Sequence, residues 1–212
     1  RALMVLRRLL IAKGRPRAMQ RSLKRAIDIC GAVCGLIMFA IPMLVIAAAI
    51  KLDSQGSVFF RQDRVGLDGQ LFKIIKFRTM VPNAESLPGG ITTWRGDPRV
   101  TRVGRVLRDR GLDEILQFLN VLAGELSLVG PRPTVPSQVR KYTGHQRRRL
   151  TVTPGMTSLP TAVARNQLPW PEKIELDLQY IDNWSLCLDL KILFLTVWVV
   201  LTTREGSFKR DF

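Results

Sequence analysis

The sequence predicts an α+β, mostly helical fold: an apolar N-terminal membrane helix kinked at Pro42, a small β-hairpin, interfacial amphipathic helices and one compact domain. Three observations predict it. Residues 29–50 carry no formal charge over 22 positions, long enough to span a bilayer, with Pro42 past the middle. Two short strand-like runs follow, joined by Gly66-Leu-Asp-Gly69. Helical stretches then come at 113–123, 134–150 and 171–183, and no repeat or low-complexity linker divides the 212 residues. A chain of this length builds one domain with a core that needs no disulfide or metal staple. The boundaries read as a basic arm over 1–26, a membrane helix over 27–51, a main domain over 52–203 and a tail over 204–212.

The formal charge of +16 calls for an anionic partner: nucleic acid, lipid headgroups or phosphorylated substrates. Its distribution narrows the choice. Arg1, Arg7, Arg8, Lys13, Arg15, Arg17, Arg21, Lys24 and Arg25 fill the first arm with no acid among them, directly before the apolar segment. Juxtamembrane basic clusters meet anionic phospholipid in that position. Cys30, Cys34 and Cys187 form no disulfide framework, and the first two, four apart, share a helix face and serve packing. His145 has no Cys or His spacing around it that would make a zinc site and reads as a surface residue.

The membrane segment is not a cleavable signal, because a long basic arm precedes it and no small-residue cleavage site follows. Pro42 removes a backbone donor where lipid cannot satisfy the freed carbonyl. Lys24 and Arg25 before the segment and Lys51 after it favour both ends on the cytoplasmic side. A helix that enters one leaflet and returns meets both constraints; a kinked span and a buried soluble helix are the alternatives. Near the C-terminus, Leu186 to Leu201 is apolar but interrupted by Asp189 and Lys191, which suits an interfacial or core helix, with Trp184 and Trp198 at headgroup depth.

Residues 57–65 and 71–80 are the hairpin strands. Period-2 alternation puts Lys76 and Arg78 on one face, where they are either solvated or spaced to hold a diphosphate. Residues 81–100, with Pro82, Pro88, Gly89, Gly90, Gly96 and Pro98, form a long loop. Asp113 and Glu114 then stand at the start of the 113–123 helix, which Gly124 ends. Carboxylates there are ordinarily caps. The same position, flanked by Arg108 and Arg110, would also keep a carboxylate ionised and able to attack a phosphate that the cations bind. A divalent cation, Mg2+ by preference, would relieve the anion–anion repulsion at Asp113. Arg132, in the rigid turn Val129-Gly-Pro-Arg-Pro133, suits a bidentate phosphate contact or a purely structural turn.

The chain resembles the bacterial sugar transferase family, the monotopic phosphoglycosyl transferases. The resemblance runs from Lys24-Arg25-Ala-Ile-Asp28 to about Thr203, through Val58-Phe-Phe-Arg-Gln-Asp-Arg-Val-Gly66, Lys76-Phe-Arg-Thr-Met80, Asp97-Pro-Arg-Val-Thr-Arg-Val-Gly104 and Leu112-Asp-Glu114. Gln117, Asn120-Val121, Ser127-Leu-Val-Gly-Pro-Arg-Pro133, Pro154-Gly155, Asn183-Trp-Ser185 and Asp189 continue it. It implies a re-entrant helix broken near Pro42 and an enzyme held on the cytoplasmic face of the bacterial inner membrane. It implies transfer of a sugar-1-phosphate from a UDP-sugar to polyprenyl phosphate, usually undecaprenyl phosphate, with release of UMP, as a first membrane step of polysaccharide or glycoconjugate assembly. By resemblance Asp113 is the nucleophile of a covalent phosphosugar intermediate, Glu114 assists and Mg2+ binds at Asp113. Lys76, Arg78, Arg108, Arg132 and Pro133 are the expected substrate contacts.

Two departures stand out. The family commonly has proline where this chain has Leu116, and the segment after Pro154-Gly155 reads Thr157-Ser-Leu-Pro-Thr161 in place of the usual glycine- and glutamine-bearing loop. The second departure is the best support for an alternative, a membrane-bound scaffold or nucleotide-sugar-binding member of the family with altered catalysis. Nucleic-acid binding rests on charge alone, lacks a module or stacking pattern, and leaves residues 29–50 unexplained, so no nucleic-acid partner is expected. A homodimer is compatible with the sequence.

Overall fold

A computed structural model describes residues 18–90, 93–94, 96–164 and 168–202; most of the basic arm and the tail over 204–212 lie outside the described residues. Helix α1 (Ala18–Asp53) is a single element with Pro42 inside it, so the proline does not end the helix where a break was expected. Its inward residues fall at 28, 32, 35, 39, 43, 46 and 50, a spacing of three and four that lines one face. Two glycines let that face come close. A Cβ on Gly31 would stand 2.6 Å from the Leu128 side chain, and one on Gly35 would stand 2.6 Å from the Phe118 ring. The opposite face is apolar and exposed, with Ile37, Met38, Ile41, Leu44 and Val45. Cys30 and Cys34 lie on that exposed side rather than in protein packing. The sequence could not separate the two faces by polarity, because both are apolar.

The hairpin forms as expected, with antiparallel β1 (Phe59–Val65) and β2 (Leu71–Phe77) pairing Phe59 with Phe77 and Val65 with Leu71. Strand β2 stops at Phe77, three residues short of the predicted end. The long loop follows and is organised by the buried pair Asp97–Arg99, two parallel contacts of 2.9 and 2.7 Å. Arg99 also donates to the carbonyls of Ala84 and Gly90 and lies over the Trp94 ring.

Helix α2 (Arg102–Arg110) is capped by Thr101 and ended by Gly111, whose φ of 68° is the left-handed conformation that favours glycine. A 3-10 turn (Leu112–Glu114) and α3 (Gln117–Ala123) occupy the stretch predicted as one helix from 113 to 123. Strand β3 (Ser127–Val129) runs parallel to β4 (Gly155–Thr157). The helix predicted over 134–150 is instead α4 (Pro136–Val139), α5 (Gly144–Arg147) and a 3-10 turn at Arg148–Thr151. The break has a local cause: Thr143 and Gln146 form a reciprocal capping box that starts a new helix at Gly144. Helices α6 (Leu159–Ala164), α7 (Trp170–Asp182) and α8 (Leu186–Thr202) complete the chain. Helix α8 packs one face in the core, with Leu188 and Ile192 buried, and leaves Leu190, Phe194, Val197 and Trp198 exposed on the other.

Three groups fasten α1 to the rest. Asp28 accepts from Ser127 Oγ and the Leu128 amide. Arg25 donates to the carbonyls of Val121 and Leu122, closing the C-terminus of α3. Lys24 Nζ lies 2.6 Å from Asp189 Oδ2 and 3.0 Å from the Val129 carbonyl; Tyr180 and Trp184 also donate to Asp189.

Candidate active site

The carboxylate pair sits on the 3-10 turn between α2 and α3. Neither carboxylate caps a helix, since the turn and α3 both start without a side-chain cap bond. Glu114 is held from two sides. Lys76 Nζ, from the end of β2, is 2.5 Å from Glu114 Oε1, and Arg132 places Nη1 3.2 Å from Oε2 and its Nη2 against Oε1. Among the described residues Glu114 takes these ion pairs and Asp113 takes none. Arg108 directs its Nε to Thr79 Oγ1 at 2.7 Å and contributes to the positive field on Asp113. Arg110, at the exposed end of α2, is not one of the main charges acting on either acid.

This asymmetry separates the two acids. Arg132 and Lys76 overcome the burial of Glu114 and hold its carboxyl well below the usual range. For Asp113 burial and the adjacent Glu114 charge outweigh Lys76, Arg108 and Arg132, so its pKa rises to about 6. The sequence, counting cations, favoured a depressed value; desolvation overturns that. One acid is thus a fixed anion that orders two cations, and the other is an unpaired carboxylate kept near them.

The loop carrying Arg132 is stapled on both sides. The Gly130 amide donates to the Thr157 carbonyl, the Gly155 amide to the Pro131 carbonyl and the Val65 amide to the Thr134 carbonyl. Below it, Arg149 donates to the Arg132 carbonyl at 2.8 Å, to Tyr142 Oη, and to Asp177 Oδ2 at 3.0 and 2.7 Å. Sequence reading missed this support, because residues 149 and 177 are far apart in the chain and each looks like a surface charge. Pro133 is buried within the same loop, where it helps hold Arg132 in place.

Arg78 is placed differently from expectation. The chain turns after Phe77, and the Arg78 guanidinium points to the Ser54 carbonyl at 2.8 Å, to Ser54 Oγ at 3.0 Å and to the Gln55 carbonyl. It closes the end of α1 and does not join Lys76 at the pair. Arg64 does join the cluster, beside Arg132, although sequence reading gave it no role. The altered segment 158–161 is occupied with folding: Ser158 is buried, its Oγ lies 2.8 Å from Thr161 Oγ1, and it caps α6. Leu116 is buried among Ile46, Ile50 and Phe77, so the residue standing at the family's proline position serves packing.

A metal held by protein ligands alone does not fit, since no three His, Cys, Asp or Glu side chains cluster among the described residues. Mg2+ is commonly bound through one or two carboxylates with substrate phosphates completing the shell, and Asp113, unpaired, fits that mode.

The model of the family described as bacterial sugar transferase matches residues 19–203. The chain is 44% identical over 184 residues to an uncharacterised sugar transferase, EpsL, of Bacillus subtilis, covering 87% of this chain and 89% of the relative. It is 39% identical over 199 residues to the exopolysaccharide production protein ExoY of Rhizobium meliloti, covering 87% and 88%. It is 43% identical over 190 residues to the UDP-glucose:undecaprenyl-phosphate glucose-1-phosphate transferase of Caulobacter vibrioides, covering 85% of this chain and 70% of that protein.

Proposed function

The chain belongs to the bacterial sugar transferase family, and from that premise we propose that it moves a sugar-1-phosphate from a UDP-sugar to undecaprenyl phosphate, releasing UMP, in exopolysaccharide or glycoconjugate assembly. The observation that carries the reading is the division of labour at the carboxylate pair: Glu114 neutralised by Lys76 and Arg132, Asp113 unpaired beside the same cations. In the first step an Asp113 oxygen bonds to the sugar-bearing phosphorus as the phosphorus–oxygen bond to UMP breaks, and UMP leaves with the electron pair. In the second, an oxygen of the lipid phosphate bonds to that phosphorus and frees Asp113. Lys76, Arg108 and Arg132 would bind and orient the phosphates. A Mg2+ ion would be held by Asp113 and phosphate oxygens, offsetting the repulsion between anions.

Release of UMP from a panel of UDP-sugars, with and without undecaprenyl phosphate, tests this. Lipid-dependent release from one sugar is expected. Absence of release from every sugar by folded, membrane-bound protein would sink the reading.

The acid limb gives a further test. The attacking carboxylate must be ionised, and its pKa is raised to about 6. kcat/KM should therefore climb with pH through about 6 and level above it. In Glu114→Gln the charge that raises Asp113 is gone and Lys76 and Arg132 lose their anion, so the limb of the residual activity should move to lower pH. A limb that stays or moves up would rule out this account of the pair.

The helix is proposed to dip into the cytoplasmic leaflet with both ends on one side. At 36 residues and about 1.5 Å each it is long enough to cross a bilayer. The domain, however, grips it at both ends: Lys24, Arg25 and Asp28 at one, and Asp53, which accepts from the Val103 amide, at the other. One domain fastened to both ends supports insertion without crossing. Cysteines at Arg21 and Gln55, with the native cysteines replaced by serine, should both react with an impermeant maleimide from the cytoplasmic side; a crossing helix would give one site on each side.

A further inference from the structure

Arg64 reaches the cluster from β1 with an unusual set of partners. Its Nη2 donates to Gln62 Oε1 at 2.6 Å and its Nη1 stands 3.5 Å from the Pro133 carbonyl; both acceptors are neutral. Its Nε is buried and has no hydrogen-bond partner among the described residues. Glu114, the acid that acts most strongly on Arg64, is already shared between Lys76 and Arg132. Glu85 is linked to Arg64 through Gln62, which donates to Glu85 Oε1 at 2.8 Å. Burial and the neighbouring Arg132 lower the Arg64 pKa to about 10, which leaves it charged at neutral pH. A half-buried charged guanidinium beside a like charge, without an ion-pair partner among the described residues, is favoured by an anion that completes it.

We propose that Arg64 is a phosphate-binding residue of the donor site, gripping the diphosphate of the UDP-sugar together with Arg132. The proposal rests on the transferase reading above. It favours the donor over the lipid phosphate because two arginines side by side, with Lys76 beyond, match two linked phosphates better than one. It also gives a role to the Arg61-Gln-Asp-Arg64 stretch of the hairpin, which the carboxylate chemistry leaves unused. Gln62 then orients Arg64, whose terminal nitrogens meet only neutral acceptors among the described residues.

The test compares wild type with Arg64→Gln and Arg64→Lys for the active UDP-sugar. Loss of a charged hydrogen-bond donor should raise the donor KM roughly ten- to a hundredfold in Arg64→Gln. The Lys variant should recover part of this through its charge, and the KM for undecaprenyl phosphate should stay within about twofold. UDP binding, measured directly on the same proteins, should weaken in parallel. An unchanged donor KM and UDP affinity in Arg64→Gln would overturn the proposal, as would a change confined to the lipid acceptor. A loss of kcat and thermal stability with unchanged donor affinity would mark a structural role and overturn it too. Wild type that binds UDP in an Arg64-dependent way but releases no UMP would sink the transferase reading and leave the binding role of Arg64 standing.

Discussion

Asp113→Asn is expected to reduce lipid-dependent UMP release by at least about a thousandfold, because the amide cannot form the covalent bond that the reaction needs. The substitution is nearly isosteric, and Asp113 takes part in no hydrogen bond or ion pair among the described residues, so the fold should tolerate it. Removing the charge should even relieve strain, since burial and Glu114 both disfavour the ionised form. Thermal stability of the Asn variant should equal or exceed that of wild type, and its membrane association should be unchanged. A variant that retains a tenth of wild-type UMP release would exclude Asp113 as nucleophile.

Arg149→Leu should have the largest effect on stability. Arg149 and Asp177 are both buried, with side-chain exposures of 4% and 2%. Removing the cation leaves Asp177 buried without its counter-charge, a change worth about 3–5 kcal/mol in buried pairs. Burial already lifts the Asp177 pKa to about 6, so in the variant the carboxyl should protonate and recover part of that loss. For a domain of this size the midpoint should fall by roughly 10 °C at neutral pH, and less at acidic pH, in thermal unfolding. The Arg132 carbonyl loses its partner as well, so donor affinity should fall even where the protein remains folded. An unfolding midpoint within a degree of wild type would contradict the assigned role.

Much of this was legible in the residues, and the failures have physical causes. The length and composition of α1, the hairpin and its turn, the C-terminal end of α3 at Gly124 and the extent of α7 follow from local chemistry that needs no partner. The carboxylate pair could be located, and so could Lys76, Arg108 and Arg132, because their types and spacing suit phosphate. What could not be read was desolvation. Sequence counts the cations near Asp113 but not the water removed from it, so the direction of its shift came out reversed. Alternation on β2 placed Arg78 beside Lys76, but the strand ends one residue earlier and the chain turns toward α1. Arg64 and Arg149 were passed over because a lone arginine on a strand or a basic helix reads as solvated; their meaning lies in contacts distant along the chain.

Helix α1 also determines what can be taken away from this protein. Ala32 belongs to the same buried cluster as Val121, Leu128 and Ile192, while Ile46 and Ile50 close another around Phe77, Leu107 and Ile115. The apolar segment proposed to enter lipid is therefore also a wall of the protein's interior. Trimming it to obtain a soluble enzyme would open both clusters to water and strip Arg25 from the end of α3. Excising this helix and unfolding the domain are, for this chain, the same event.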